Sequence, residues 1–247
     1  MDLPPDWMII NRPKPHAADA PQQLDLVVIR PTRVIPPRAY YQTVKRLMDV
    51  MLCLLALPLI LPIMIICAAI IYLDSSTPIF FVQERIGKGG RPFRMYKFRT
   101  MQHKLDDTHH RAFMKAFVNG QLEHSADGPM IFKPVQASEI TKAGRVLRKT
   151  SLDELPQIIN VLKGEMSLVG PRPNVLWEVD EYRLWHHERL EVLPGITGLA
   201  QVRGRSGISF DRIVKCDVEY LEKRSLALDI KILWWTLTSV LGGRGAE

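Results

Sequence analysis

Cysteine is scarce in this sequence, and the little that is present excludes two classes of small protein. The 247 residues contain three cysteines, Cys53, Cys67 and Cys216, with no CxxC pair among them. That spacing builds neither a disulfide framework nor a cysteine-ligated metal site. We therefore predict a protein of a reducing compartment whose thiols are buried.

Charge is absent from one long stretch of the chain. Val50 to Leu73 is 24 residues without Asp, Glu, Lys or Arg, and as a helix it would measure about 36 Å, enough to span a bilayer. Basic residues flank both ends, which favours the cytoplasmic side for each. Pro58 and Pro62 favour a sharp bend. We predict a re-entrant helix-break-helix over residues 41–74, with a proline-kinked spanning helix as the alternative.

Acidic residues are outnumbered, 26 against 33 Lys and Arg, which gives a net charge of +7 and a pI near 9.4. A basic chain of this kind favours an anionic partner, either nucleic acid, a nucleotide or an anionic lipid surface. The glycine-rich stretch from Pro194 to Phe210 lacks the spacing of a Walker or dinucleotide-binding loop. By itself it is therefore a weak indication of phosphate binding.

The rest of the chain divides around the apolar run. Residues 1–40 are rich in proline and lack hydrophobic periodicity, which predicts a disordered or extended tail with one short strand near Leu24–Ile29. No signal peptide is expected, because the first long apolar run begins far from residue 1. Residues 75–247 are predicted to form a small cytosolic domain docked on the membrane. The fold class is α+β, mainly helical, with a re-entrant membrane helix and interfacial amphipathic helices.

Two segments of this domain have recognisable patterns. The β-rich runs Pro78–Gln83 and Phe93–Phe98, separated by a turn at Gly87–Gly90, predict a hairpin. The apolar segment Leu226–Leu241, with its Trp234–Trp235 pair, predicts a helix lying at a membrane interface. Packing against the core of the domain is the alternative for that helix.

The most informative stretch is TSLDELPQIINVLKGEMSLVGPRP, from Thr150 to Pro173. Its apolar residues recur with helical spacing up to a stop at Lys163–Gly164. Two adjacent carboxylates, Asp153 and Glu154, stand at the start of this helix. A capping box from Ser151 to Glu154 would explain them without any chemistry.

Pro156 argues against Ser151 as the N-cap, because the proline would then lie beyond the first turn. Asp153 fits the N-cap better. A carboxylate there accepts backbone N–H bonds, which lower its pKa and make the helix end attractive to phosphate, as suits a nucleophile acting on a phosphoryl group. Arg172 lies between two prolines that restrict its backbone, which suits phosphate capture, with a solvated surface turn as the alternative.

Four strings, in this order, resemble the bacterial sugar transferases, the monotopic polyprenyl-phosphate phosphoglycosyl transferases. They are KRLMDV before the apolar run, PIFFVQERIGKGGRPFRMYKFRTM after it, the carboxylate string above, and PGITGLAQVRGRSGISF near the C-terminus. The resemblance covers roughly Tyr41 to Leu241. One departure is Leu61–Pro62, which stands where the family commonly has a Ser-Pro pair.

The resemblance implies a catalytic domain with named site residues. Asp153 would be the nucleophile, and Glu154 would assist in positioning metal or phosphate. Both substrates would be anionic, so a divalent metal, Mg²⁺, is expected at Asp153 and Glu154. Further residues are expected to bind substrate: Lys97, Arg99, Arg148, Arg172, Arg205 and Asp217.

The implied reaction is transfer of a sugar-1-phosphate from a UDP-sugar to undecaprenyl phosphate, with release of UMP, at the cytoplasmic face of a bacterial inner membrane. UDP-glucose or UDP-galactose is expected by analogy with exopolysaccharide-initiating relatives. Membrane lipid is then a partner and nucleic acid is not. The alternative is a membrane-tethered regulatory or interaction module whose basic face binds anionic lipid or nucleic acid without turnover.

Overall fold

The computed structural model describes residues 9–12, 25–28, 39–75, 78–102, 108–121, 139–204 and 208–242. Before the long apolar run it has two strands, β1 (Ile9–Arg12) and β2 (Asp25–Val28), paired antiparallel with Ile9 opposite Val28. The predicted short strand is therefore confirmed, and β1 is its partner.

The apolar run forms one helix, α1 (Ala39–Ser75), which contains both Pro58 and Pro62. It is the one helix in the described part of the chain that is long and apolar enough to cross a membrane. The structure differs from the predicted helix-break-helix, because helical backbone continues through both prolines. A proline removes one N–H and crowds the carbonyl four residues earlier, which bends a helix without requiring its backbone to leave the helical region.

One side of α1 packs against the domain along most of its length. Cys53 is buried with Phe93 and Val161, and Cys67 is buried with Phe98 in a second cluster. Both thiols are thus buried, as predicted, whereas Cys216 is only half-buried, which the prediction did not anticipate. The side chains that make these contacts recur every three or four residues, as one helical face requires: Asp49, Cys53, Leu57, Ile60, Met64, Cys67 and Ile71.

The predicted hairpin is confirmed. Strands β3 (Phe80–Ile86) and β4 (Pro92–Phe98) pair antiparallel, and Phe81 lies opposite Lys97. The turn between them is a short 3-10 segment, Lys88–Gly90. Its last two residues have φ values of 68° and 75°, which glycine adopts without steric cost.

The next helices among the described residues are α2 (Thr108–Val118), α3 (Lys142–Thr150) and α4 (Gln157–Lys163). Between α3 and α4 the chain makes a 3-10 turn, Leu152–Glu154. Helix α4 ends at Gly164 with a φ of 82°, so the predicted stop is confirmed.

The remaining elements complete the domain. They are β5 (Ser167–Val169), which pairs parallel with β6 (Gly195–Thr197), then α5 (Leu176–Val179), a 3-10 segment (Leu184–Glu191), α6 (Leu199–Arg203), α7 (Phe210–Lys223) and α8 (Leu226–Leu241). On α8, Ile232 is fully buried against α7 and β5, while Ile230, Trp234 and Leu237 are exposed. One face of α8 therefore packs on the core and the other is apolar and open.

Candidate active site

The two adjacent carboxylates lie in the 3-10 turn that joins α3 to α4. Leu152 and Leu155, on either side of them, pack into the core cluster that contains Phe98. This anchoring leaves Asp153 and Glu154 at the surface of the turn. Neither predicted cap is formed, because neither Ser151 nor Asp153 makes a side-chain cap bond and α4 begins later, after Pro156.

Glu154 is shared by two cations. Its Oε1 atom accepts a hydrogen bond from Lys97 Nζ at 2.8 Å and another from Arg172 Nη1 at 3.2 Å. Burial would raise the pKa of Glu154, but the two cations and their hydrogen bonds outweigh burial and hold that pKa at about 2. Glu154 is therefore an anion at any physiological pH.

Asp153 differs from Glu154 in both its contacts and the direction of its pKa shift. Within the described residues, no hydrogen bond or ion pair reaches its carboxylate. Burial raises the pKa of Asp153, Lys97 opposes that change, and repulsion from Glu154 adds to it. The expected lowering by a helix cap is therefore wrong, because the turn supplies no N–H to the side chain. Asp153 keeps its oxygen lone pairs available.

Lys97 reaches the carboxylates because of the alternation of β4. It lies on the same strand face as Phe93 and Met95, which are buried in the core, so its side chain also points inward. Burial lowers the pKa of Lys97, and attraction to Glu154 offsets part of that change. The lysine is thus a half-buried cation that is hydrogen-bonded to one carboxylate.

Asn160 fixes the distance between α4 and β4. It is fully buried, its Nδ2 donates to Arg94 O at 2.6 Å, and its Oδ1 accepts from Tyr96 N at 3.1 Å. These bonds replace strand pairing at the edge of β4 and set the carboxylate turn beside Lys97. Asn160 was not among the predicted site residues, although a single amide within the apolar run Ile158–Leu162 was a signal.

The other predicted site residues are divided between the site and its surroundings. Arg148 is close enough to Asp153 to lower its pKa, and Arg148 Nη1 is buried with no hydrogen-bond partner among the described residues. Arg99 instead donates to Ser75 O and Oγ at the end of α1. Arg205 lies outside the described residues.

Asp217 is also placed away from the carboxylate pair. It is 1% exposed and forms an ion pair with Arg189 at 2.7 Å. Burial raises the pKa of Asp217 to about 6, while Arg189 opposes the change. Asp217 therefore lies behind the site surface. No local pattern around Arg189 pointed to this pair.

Both ends of α1 are joined to the helices that flank the carboxylate turn. Arg46 donates to Val161 O and, at 2.9 Å, to Leu162 O, which are terminal carbonyls of α4. At the other end, Asp74 Oδ2 accepts from Ala143 N at the start of α3, at 2.9 Å. In the sequence, Arg46 belongs to a basic flank and to the string KRLMDV, and neither predicted this contact.

Magnesium was expected at the two carboxylates. Across the described ranges, no group of three or more His, Cys, Asp or Glu side chains is arranged to hold a metal ion. Two carboxylates are compatible with Mg²⁺, which is commonly held by one or two carboxylates together with substrate phosphates. Both cations bind Oε1 of Glu154, so Glu154 Oε2 and Asp153 fit that donor set.

The fold and the site define a class of protein in which one long apolar helix is joined to a small α+β domain and both helix ends support a carboxylate turn. The chain belongs to the bacterial sugar transferase family, whose model matches residues 40–243. The resemblance seen in the four sequence strings is thereby confirmed.

Named relatives support this assignment. The chain is 46% identical over 171 residues to galactosyl transferase CpsE of Streptococcus agalactiae, covering 69% of this chain and 36% of that protein. It is 38% identical over 217 residues to a UDP-N-acetylgalactosamine-undecaprenyl-phosphate N-acetylgalactosaminephosphotransferase of Aeromonas hydrophila, covering 85% and 47%. It is 36% identical over 241 residues to a UDP-glucose:undecaprenyl-phosphate glucose-1-phosphate transferase of Caulobacter vibrioides, covering 94% and 82%. The chain spans less than half the length of the first two.

Proposed function

We propose that this protein transfers a sugar-1-phosphate from a UDP-sugar to undecaprenyl phosphate and releases UMP, as the first step of extracellular polysaccharide or glycan assembly. Two of the relatives above are named for this type of transfer. The observation that carries the proposal is the difference in ion pairing between the two carboxylates. Glu154 holds both cations, and Asp153 has no partner among the described residues.

Asp153 acts as the nucleophile in two successive displacements. One carboxylate oxygen attacks the phosphorus that bears the sugar, the new P–O bond forms, and the bond to the bridging oxygen breaks, so UMP leaves with that oxygen. The phosphate of the lipid then attacks the same phosphorus and displaces the Asp153 carboxylate, which is regenerated. A carboxylate without a side-chain partner among the described residues suits this role, because no ion pair with a lysine or arginine has to be broken before attack.

The cations around the pair bind the diphosphate. Arg172 is 49% exposed on its side chain and can turn two N–H groups to a phosphate while it stays close to Glu154. Arg148 contributes a buried donor without a partner among the described residues. The charges of Lys97 and Glu154 offset each other. The positive potential at the diphosphate therefore comes mainly from Arg148 and Arg172.

Asp153 and Glu154 would hold a Mg²⁺ ion together with phosphate oxygens of the substrate. The ion would offset the negative charge of the two phosphates and so ease the approach of Asp153 to phosphorus. Glu154 is suited to this role because the pKa near 2 keeps it ionised.

Helix α1 is proposed to bend at Pro58 and Pro62 while its backbone stays helical, so that it enters the bilayer and returns with both ends at the cytoplasmic face of the inner membrane. Supporting this, residues at both ends of α1 contact the same domain, through Arg46 and Asp74. A helix that crossed the bilayer would place one end about 36 Å or more from a domain on the other side. The exposed apolar face of α8, at Trp234 and Leu237, is proposed to lie on the membrane surface.

Release of UMP in two stages tests the chemistry. UDP-sugar alone should leave a phosphosugar on the protein and release UMP before any lipid is added. Asp153→Asn should abolish both events, since an amide is nearly isosteric and far less nucleophilic. Glu154→Gln should still form the adduct, but slowly, because the freed Lys97 can then pair with Asp153.

Three outcomes would contradict this mechanism or the proposed function. Turnover in a folded, membrane-bound Asp153→Asn variant would eliminate the covalent mechanism. Mapping of the adduct to Glu154 would reverse the two roles. Binding to anionic vesicles without UMP release from any UDP-sugar would favour a regulatory or interaction module.

The sugar is proposed to be glucose or galactose. One relative is named a galactosyl transferase and another is named for glucose-1-phosphate transfer. A panel of UDP-glucose, UDP-galactose and UDP-N-acetylgalactosamine, with UMP as the readout, tests this choice. Turnover with the N-acetylated substrate alone would overturn it.

A further inference from the structure

The turn that carries Arg172 is held by its carbonyl groups. Residues Pro171–Asn174 include two prolines, which have no N–H to donate. The carbonyls of the first and last residues accept hydrogen bonds from the backbone N–H groups of Gly195, at 2.9 Å, and Ile86, at 2.8 Å. Both ends of the turn are therefore tied to strands of the domain.

The two middle carbonyls are held by guanidinium groups. Arg189 Nη2 donates to Arg172 O at 3.0 Å, and Arg85 Nη1 donates to Pro173 O at 3.2 Å. All four carbonyls of the turn are thus occupied. The peptide units on both sides of the Arg172 Cα atom cannot rotate without breaking one of these bonds.

Arg189 is itself held from behind. It forms an ion pair with Asp217 at 2.7 Å, and both side chains are 2% exposed. Its Nη1 atom donates to Asn174 Oδ1 at 3.0 Å and to Tyr182 Oη at 2.9 Å. A guanidinium with this set of partners has a single orientation, which a lysine ammonium in the same place would not reproduce.

A buried ion pair is an expensive way to stabilise a domain, because well-packed apolar residues of the same size often serve as well or better. What this pair supplies is a fixed orientation of the Arg189 guanidinium group, and through it of the Arg172 backbone. The Arg172 side chain is 49% exposed, so packing does little to fix it, and its approach to Glu154 depends on its backbone. That backbone is the part that Arg189 holds.

We infer that Arg189, oriented by Asp217, is a positioning residue that aims Arg172 at the carboxylate pair through the carbonyl group of Arg172. The inference rests on the proposed function. Asp217 then contributes to transfer without touching the substrate, and its role is to keep Arg189 in place.

A double-mutant cycle on turnover tests the inference. Arg189→Lys keeps the charge beside Asp217 and loses the fork that spans the turn, so kcat for UMP release should fall about tenfold or more, with a smaller change in the KM for UDP-sugar. In an Arg172→Ala background the same substitution should cost less than about twofold, because the residue through which it acts is gone. Equal losses in both backgrounds would overturn the inference while leaving the proposed function intact.

A matched control separates positioning from general stability. Asp229→Asn weakens another buried ion pair, that of Asp229 with Lys45 at 3.2 Å, which does not contact the turn. It should lower thermal stability and should change activity by the same factor with and without Arg172→Ala. If Arg189→Lys does not fold, Asn174→Ala removes one acceptor from the turn and should show the same dependence on Arg172.

Hydrogen exchange provides a readout without turnover. The segment 172–178 should exchange faster in Arg189→Lys than in the unaltered protein, and should be unchanged in Asp229→Asn. If the unaltered protein releases no UMP from any UDP-sugar, the proposed function fails and exchange alone decides whether the turn is held as inferred. Unchanged exchange in Arg189→Lys would refute the inference that Arg189 holds the Arg172 turn.

Discussion

Replacing Glu154 with Gln removes the carboxylate that Lys97 and Arg172 share. The Lys97 side chain is 15% exposed, so its ammonium would keep little contact with water and would lose the carboxylate to which it is hydrogen-bonded. The expected result is a less stable protein at neutral pH. The size of the loss follows from the pKa of the carboxyl group.

The pKa of Glu154 is about 2, against 4.5 for an unpaired glutamate, and each pKa unit is worth about 1.4 kcal/mol, so the pairing contributes about 3 kcal/mol to folding at neutral pH. The unfolded chain takes up this proton near pH 4.5 and the folded protein only near pH 2. The contribution is therefore complete above pH 4.5 and is lost as the pH falls towards 2.

Thermal unfolding in lipid nanodiscs measures the effect. At pH 7 Glu154→Gln should melt about 6–12 °C below the unaltered protein, since 1 kcal/mol shifts the melting temperature of a chain of this size by about 2–4 °C. The difference should shrink by more than half at pH 3. Glu181→Gln is the control, because Glu181 pairs with Lys115, which is 52% exposed, and such surface pairs contribute about 1 kcal/mol or less. A Glu154→Gln difference at pH 7 no larger than the control's, or one that does not change with pH, would refute the reasoning.

Three further outcomes are expected. Arg46→Met should destabilise the protein by about 2 kcal/mol in the same melting assay, because Leu162 O loses the charged donor and Val161 O keeps only the N–H of Gly164; Lys149→Met, at an exposed cation, is the control and should have little effect. Gly144→Ala should lower the melting temperature markedly, because a Cβ atom there would lie 2.1 Å from Thr100 O, and forced overpacking costs about 1–3 kcal/mol; normal melting would show that the helix can shift. UMP release should decline as the pH falls through about 6, where Asp217 takes up a proton and loses its ion pair with Arg189; a pH profile with the same step in Asp217→Asn would contradict that assignment.

Local patterns in the sequence were enough for the elements that depend on near neighbours. The hairpin β3–β4 followed from two β-rich runs around glycines, and the end of α4 followed from Gly164. Helix α8 has the predicted bounds, Leu226–Leu241. Periodicity and turn chemistry act over a few residues, so a sequence displays them directly.

Local sequence patterns did not predict which of the two carboxylates is ion-paired. Asp153 and Glu154 are neighbours in sequence, yet among the described residues only Glu154 has ion-pair partners, because Lys97 and Arg172 reach it from another strand and another turn. The expected cap on Asp153 failed because the chain makes a 3-10 turn before α4 begins. Their positions in the sequence do not distinguish the two carboxylates. Their contacts in the folded protein do.

The sequence by itself therefore determined that this chain has a long uncharged helix, a hairpin, and a carboxylate pair followed by a rigid arginine turn. The tertiary structure decided that Lys97 and Arg172 pair with Glu154, that both ends of α1 support the helices beside the carboxylate turn, and that Arg189 holds the Arg172 turn from within the domain. The physical reason is that ion pairs and hydrogen bonds between residues far apart in the chain leave no periodic pattern. They exist only once packing has brought their partners within about 3 Å.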